Sequence, residues 1–190
     1  MASQVEIANM ALRALGANPI SSMTEATRNA RAVNAIFGAT RDAELEEHNW
    51  SFAIKRATIA ADASAPDWGR ATAFTLPSDF IRLAPPYPED NYATMDLQIE
   101  DGKIITDETA PLYIRYIYRN TSYSEYPALF VKALAARLAL DLCEEITQSN
   151  TKKEGLSSEY EKLIKRAKRS NAIQNVAQEA PDSSWITCRS

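Results

Sequence analysis

Between Pro127 and Ile146 the chain carries two adjacent apolar lines, and they constrain its fold more than any other feature. Phe130, Leu134, Leu138, Leu142 and Ile146 form one line; Val131, Ala135, Ala139 and Cys143 form the next. Two rows side by side on a helix make a face too broad for a single neighbour. This helix is therefore predicted at the centre of a bundle. Pro127 suits its first turn, where a missing N–H leaves nothing unpaired.

Three further helices are predicted around it. One runs from Gln4 to Leu15, with Ser3 and Glu6 at capping-box spacing and Gly16 as its stop. Its stripe is Val5, Ala8, Leu12 and Leu15. A second runs from Thr24 to His48 behind a Ser22–Glu25 capping box. Ala26, Ala30, Val33, Phe37 and Thr40 face inward, and Leu45 falls off the stripe. The last runs from Lys152 to Ala172 behind a Thr151–Glu154 box, with Leu156, Tyr160, Leu163 and Ala167 inward. Lys162, Lys165, Arg166, Lys168 and Arg169 crowd its end, where the helix dipole favours cations.

Between these helices the period changes from helical to alternating. Phe52, Ile54 and Thr58 read as a strand, with a helical continuation as the alternative. Residues 73–76 make a short strand ended by Pro77. Leu97 and Ile99 alternate, Asp101-Gly102 supplies a hairpin turn, and Ile104 and Ile105 return. Leu112, Ile114, Tyr116 and Tyr118 alternate with Tyr113, Arg115 and Ile117 in the strongest strand of the chain. The expected fold class is α+β, mainly α. Residues 1–50 and 121–174 form a discontinuous helical bundle, 51–120 an inserted small antiparallel β region, and 175–190 an extended C-terminal arm. Within that arm Trp185 and Ile186 follow a polar stretch. Trp185 either folds back on its own domain or anchors the arm on a partner.

Composition narrows the function classes. A chain of 190 residues with 45% hydrophobic content can build a core of its own. A net charge of −4 argues against a surface that grips nucleic acid throughout, and five glycines are few for a glycine-rich cofactor fold. No apolar run is long enough for a membrane span, and Glu6 interrupts any signal-peptide reading of the N-terminus. Cys143 reads as a small core residue of its helix and Cys188 lies near the chain end; a reducing cytoplasm favours free thiols, with a structural disulfide between them as the lesser alternative. Reactive constellations are missing too. His48 is the single histidine and sits at a helix end, which suits a capping or packing role. No His/Cys cluster, Walker loop or nucleophile elbow is present. Runs such as Glu44, Glu46 and Glu47, or Asp141, Glu144 and Glu145, read as solvated helix faces. Catalysis by such acids would need two of them about 5 to 9.5 Å apart across a cleft. No catalytic residue, metal or cofactor is expected.

Charge is segregated along the chain. From Leu83 to Ala110 the acids are Glu89, Asp90, Asp96, Glu100, Asp101, Asp107 and Glu108, against Lys103 alone. The end of the last helix is the reverse. Both patches can simply face solvent, or two copies can meet head to tail through them and close into a ring.

The order of soft motifs over nearly the whole chain resembles one family. The segments are ALRALGANPISSM, HNWSFAIKRATIA, TAFTLPSDFIRL, IEDGKIITD, LYIRYIYR, YPALFVKALAARLALDLCEEITQS and SSWITCR. Together they resemble the tail tubular protein A-like head-to-tail adaptors, or gatekeepers, of short-tailed bacteriophages. The matching positions are Leu15, Gly16, Pro19, Ile20, Trp50, Phe52, Leu76, Pro77, Asp79, Tyr116, Trp185 and Arg189. The resemblance implies a virion structural protein, assembled in the host cytoplasm and located at the tail neck. It implies a ring beneath the portal protein, typically dodecameric, which extends the channel for double-stranded DNA. That ring would carry a tail nozzle resembling tubular protein B. It implies a portal-docking arm with Trp185, Ile186 and Arg189 as contacts. Gly16, Pro19, Trp50, Phe52, Leu76, Pro77, Asp79 and Tyr116 would then be scaffold positions. Neither enzymatic activity nor a membrane partner follows from it. The rival readings are a connector of a long-tailed phage, an adaptor with added cell-wall or polysaccharide hydrolase activity, and a cytoplasmic helical regulator.

Overall fold

The computed structural model describes residues 2–86 and 95–174. The fold is α+β, mainly α. In chain order it comprises α1 (Gln4–Leu15), α2 (Arg28–Glu47), a 3-10 turn (Ser51–Ala53), β1 (Ile54–Ile59), β2 (Thr72–Thr75) and β3 (Phe80–Leu83). There follow β4 (Leu97–Glu100), β5 (Lys103–Thr106), β6 (Leu112–Tyr118), α3 (Ala128–Thr147) and α4 (Asn150–Ile173).

Local chemistry sets the helix ends. Ser3 Oγ accepts from the Glu6 N–H while the Glu6 carboxylate accepts from the Ser3 N–H, so α1 opens with a full capping box. It closes at Gly16, whose φ of 72° is left-handed and favours glycine. The turn that follows is clamped by Asn9. Its amide donates to the Ile20 carbonyl at 2.9 Å and accepts from the Ile20 N–H at 2.8 Å. Two of the expected capping boxes do not form. α2 starts at Arg28, not Thr24, because Thr27 is its cap and accepts from the Ala30 N–H. Glu25 is instead drawn back to Ser21, and Ala26 lies exposed ahead of the helix. α4 starts two residues before Lys152 because Ser149 Oγ accepts from the Lys152 N–H. Pro127 is the cap residue of α3 and stands just before its first turn.

α3 packs against α1, α2 and α4 and is the centre of the larger core. Leu134, Leu138, Ala133 and Ala139 are completely buried, but Ile146 at the end of its line is only partly covered. Leu45 is also fully buried. The core widens at that end of α2 because the chain folds back through Trp50, whose indole N–H donates to the Glu44 carbonyl at 2.7 Å. On α4 Ile164 is buried, and Leu163 is half-buried at the margin of the large core. Leu163 also lines a groove of about 320 Å³ with Met10, Ala14, Ala135, Ala136 and Leu156.

The β region forms two three-stranded antiparallel sheets, where the sequence suggests one. The first has the order β1-β6-β3 and the second β2-β5-β4. The central strand β6 shows period 2 at work. Leu112, Ile114 and Tyr116 enter a small core with Phe74 and Ile104 of the second sheet. Ile117, on the opposite face, joins the large core of the helices. Asp101 and Gly102 take φ values of 47° and 69°, the pair a two-residue hairpin loop requires.

Candidate functional site

The motif positions gather at the joints of the fold. Gly16, Pro19 and Ile20 form the turn that Asn9 holds, and Ile20 is buried. Trp50 and Phe52 lie where α2 hands over to β1. The Trp50 ring meets Phe130 edge-on at 4.8 Å, and Phe52 packs on both Tyr126 and Phe130. Leu76 borders the small core, and the Pro77 carbonyl accepts from the Phe80 N–H in the turn before β3. Asp79 accepts from the Tyr116 hydroxyl at 2.9 Å and from Lys55 at 2.7 Å, tying β1, β3 and β6 together. Burial opposes ionisation of Asp79, yet these two donors hold its carboxyl below the usual carboxylate range. Burial and the Asp79 hydrogen bond push Tyr116 up to about 12. Trp185, Ile186, Cys188 and Arg189 lie outside the described residues.

The helix-to-sheet joint is also polar. His48 caps the end of α2 with its ring edge-on to Trp50 at 4.8 Å. Burial, then Lys168 and Arg82, pull its pKa down, which favours the neutral ring although a helix C-terminus favours a cation. Asn171 of α4 accepts from both the N–H and hydroxyl of Ser51 at 2.9 Å and donates to the Asn49 carbonyl at 2.8 Å. One helix turn back, Glu44 is 2% exposed and accepts from the Tyr160 hydroxyl at 2.7 Å. Its second carboxylate oxygen meets no donor among the described residues. Burial pushes the Glu44 carboxyl above the usual range, against the pull of the Tyr160 hydrogen bond. Sequence reasoning placed Glu44 on a solvated face because Glu46 and Glu47 flank it.

Among the described residues no group of three or more His, Cys, Asp or Glu is placed to hold a metal ion. No described helix is long and apolar enough to cross a membrane. Cys143 is a buried free thiol.

Two surfaces stand out for their charge. Residues 60–76 and 95–111, which build the second sheet and its loops, hold seven carboxylates against Arg70 and Lys103. Both cations are already engaged. Arg70 pairs with Asp96 and Asp107, and Lys103 with Asp62. Asp107 also accepts from the Ala71 N–H at 2.9 Å, which fixes the loop behind Trp68. Trp68 is 88% exposed at that loop. The other surface is the outer face of α4. Lys162, Lys165, Arg166 and Arg169 are all exposed there, and Ile173 is 80% exposed at its end. Trp68 and Ile173 escaped the sequence reading. A Trp between Pro66 and Gly69 in an aperiodic loop was the available signal for the first, and the four-residue step from Arg169 for the second. No protein-family model matches the chain, and no curated protein matches it.

Proposed function

We propose that this chain is a structural head-to-tail adaptor of a phage virion. In this reading it forms a ring, typically of dodecameric order, beneath the portal protein at the neck of the particle. The ring extends the channel through which double-stranded DNA passes without sequence recognition, and it carries the tail nozzle. The chain supplies surfaces and no reagent, and it needs no cofactor and no membrane.

The observation that carries the reading is where the resembling positions fall. Gly16–Ile20 shape the turn between α1 and α2, Trp50–Phe52 lie at the passage from α2 into β1, and Asp79–Tyr116 tie the strands of the first sheet together. The segregated charge of the second sheet and α4 suits contact with other polypeptides.

The test is attachment to the cognate portal ring. Native mass spectrometry of the full chain with portal should show a multi-copy complex. Deleting residues 180–190 should leave the helical circular-dichroism signal intact and weaken attachment, because Trp185, Ile186 and Arg189 are the proposed contacts. Equal attachment by the shortened chain removes the arm from the reading. No complex with either form removes the reading itself.

A further inference from the structure

The outer stripe of α4 and the β4 edge of the second sheet, whose outer side no described strand pairs, have matching properties. Lys162, Lys165, Arg166, Arg169 and Ile173 recur at three- and four-residue steps, so they share about 100° of the helix surface. The buried residues Leu156, Tyr160, Ile164, Ala167 and Asn171 occupy the opposite side, so the basic stripe points straight out. From Lys162 to Ile173 it spans about 17 Å. It has four cations along its length and one exposed apolar side chain at its end.

β4 is an edge strand of the second sheet. Gln98, Ile99 and Glu100 are exposed along it, and Asp101 continues the line into the turn. At the other end the Arg70–Asp96 pair brings the Trp68 loop, with Asp67, beside the start of the strand. From Asp96 to Asp101 this edge also spans about 17 Å. It is acidic at both ends, with Glu100 and Asp101 at one and Asp67 and Asp96 beside the exposed indole at the other. Among the described residues no ion pair joins the two surfaces within one copy.

We infer that the β4 edge of one copy seats on the α4 stripe of a second copy. Glu100 and Asp101 lie against the Lys162 end, and Trp68 lies against Ile173. The contact is heterologous, so a pair of copies keeps one free α4 stripe and one free β4 edge and the chain of contacts can close. A basic helix face alone would equally suit DNA phosphates. The second copy is favoured because an edge of the same length, opposite charge and matching apolar end is present on the same molecule. This deepens the self-association in the adaptor reading and rests on that reading only for closure into a ring.

Charge reversal tests it. Sedimentation velocity of the full chain should show association that strengthens with concentration and weakens from about 0.05 M to about 0.5 M salt. Lys165→Glu with Arg166→Glu, and separately Glu100→Lys with Asp101→Lys, should each weaken association at least about tenfold. An equimolar mixture of the two variants should associate again, since every reversed surface then meets a complementary one. Trp68→Ala should weaken association about tenfold with the circular-dichroism spectrum unchanged. A wild-type chain that stays monomeric at about 1 mM in low salt overturns the contact. So does a mixture that stays apart, or a loss confined to duplex-DNA binding in the Lys165/Arg166 variant. Association that obeys the charge swap without any portal binding upholds this contact and refutes the adaptor reading. Unchanged copy number of both variants on a portal ring does the reverse.

Discussion

Glu44 shows how one side chain can set a pH response. It stands among carboxylates that face water, yet the fold turns it inward onto Tyr160, and its second oxygen meets no donor among the described residues. Its carboxyl is held above the usual range by burial. A group whose folded value exceeds its unfolded value binds more protons when folded. Its contribution is therefore fully present below the ordinary glutamate range and is lost as pH rises through the folded value. Urea unfolding across pH should show wild-type stability falling through that window relative to Glu44→Gln, whose side chain cannot ionise. Parallel profiles for the two proteins would mean that Glu44 is solvated in the folded chain. The local signal was helical spacing: Glu44 stands four residues after Thr40 and seven after Phe37, on the inward stripe of α2. Its acidic neighbours masked that signal, because an acid beside other acids reads as surface, and the approach of Tyr160 on α4 completes the burial.

At the scale of elements the sequence was legible where local chemistry decides the outcome. Ser3, Glu6 and Gly16 bracket α1 because a cap and a left-handed stop act within one turn. The broad face of α3 marks a central helix because width of burial is written directly in the period. Leu138→Ala should therefore lower stability by about 2–5 kcal/mol, measured by chemical denaturation, as expected for a cavity in a closed core. A loss under about 1 kcal/mol would place Leu138 at a compliant margin. Legibility fails where two local solutions compete. Ser22 and Glu25 have the spacing of a capping box, but Thr27 caps the helix and Glu25 bonds Ser21. β3 escaped the reading because its four residues, Phe80–Leu83, show no alternation and are all half-buried. Its identity comes from pairing with β6, a long-range fact. The charged surfaces were legible as composition, but their equal length and their apolar ends needed the strand order and the direction of the α4 stripe.

For the whole molecule, β6 decides whether the parts behave as one. Its alternate residues enter two cores, Ile117 that of the helices and Leu112, Ile114 and Tyr116 that of the sheets. Loss of either core strips one face of the same strand, so the two should unfold together. Phe74→Ala, in the small core, should lower the midpoint of the helical circular-dichroism transition as well as that of a probe in the sheets. Two separated transitions would show that the second sheet opens by itself. The indoles offer such probes without labels. Trp50 is 1% exposed and Trp68 is 88% exposed, and the third tryptophan, Trp185, disappears on deletion of residues 180–190. The shortened chain thus carries one blue-shifted emitter shielded from acrylamide and one red-shifted emitter open to it. Loss of quenching at the red edge would report that the Trp68 loop has been covered while the blue edge still certifies an intact fold.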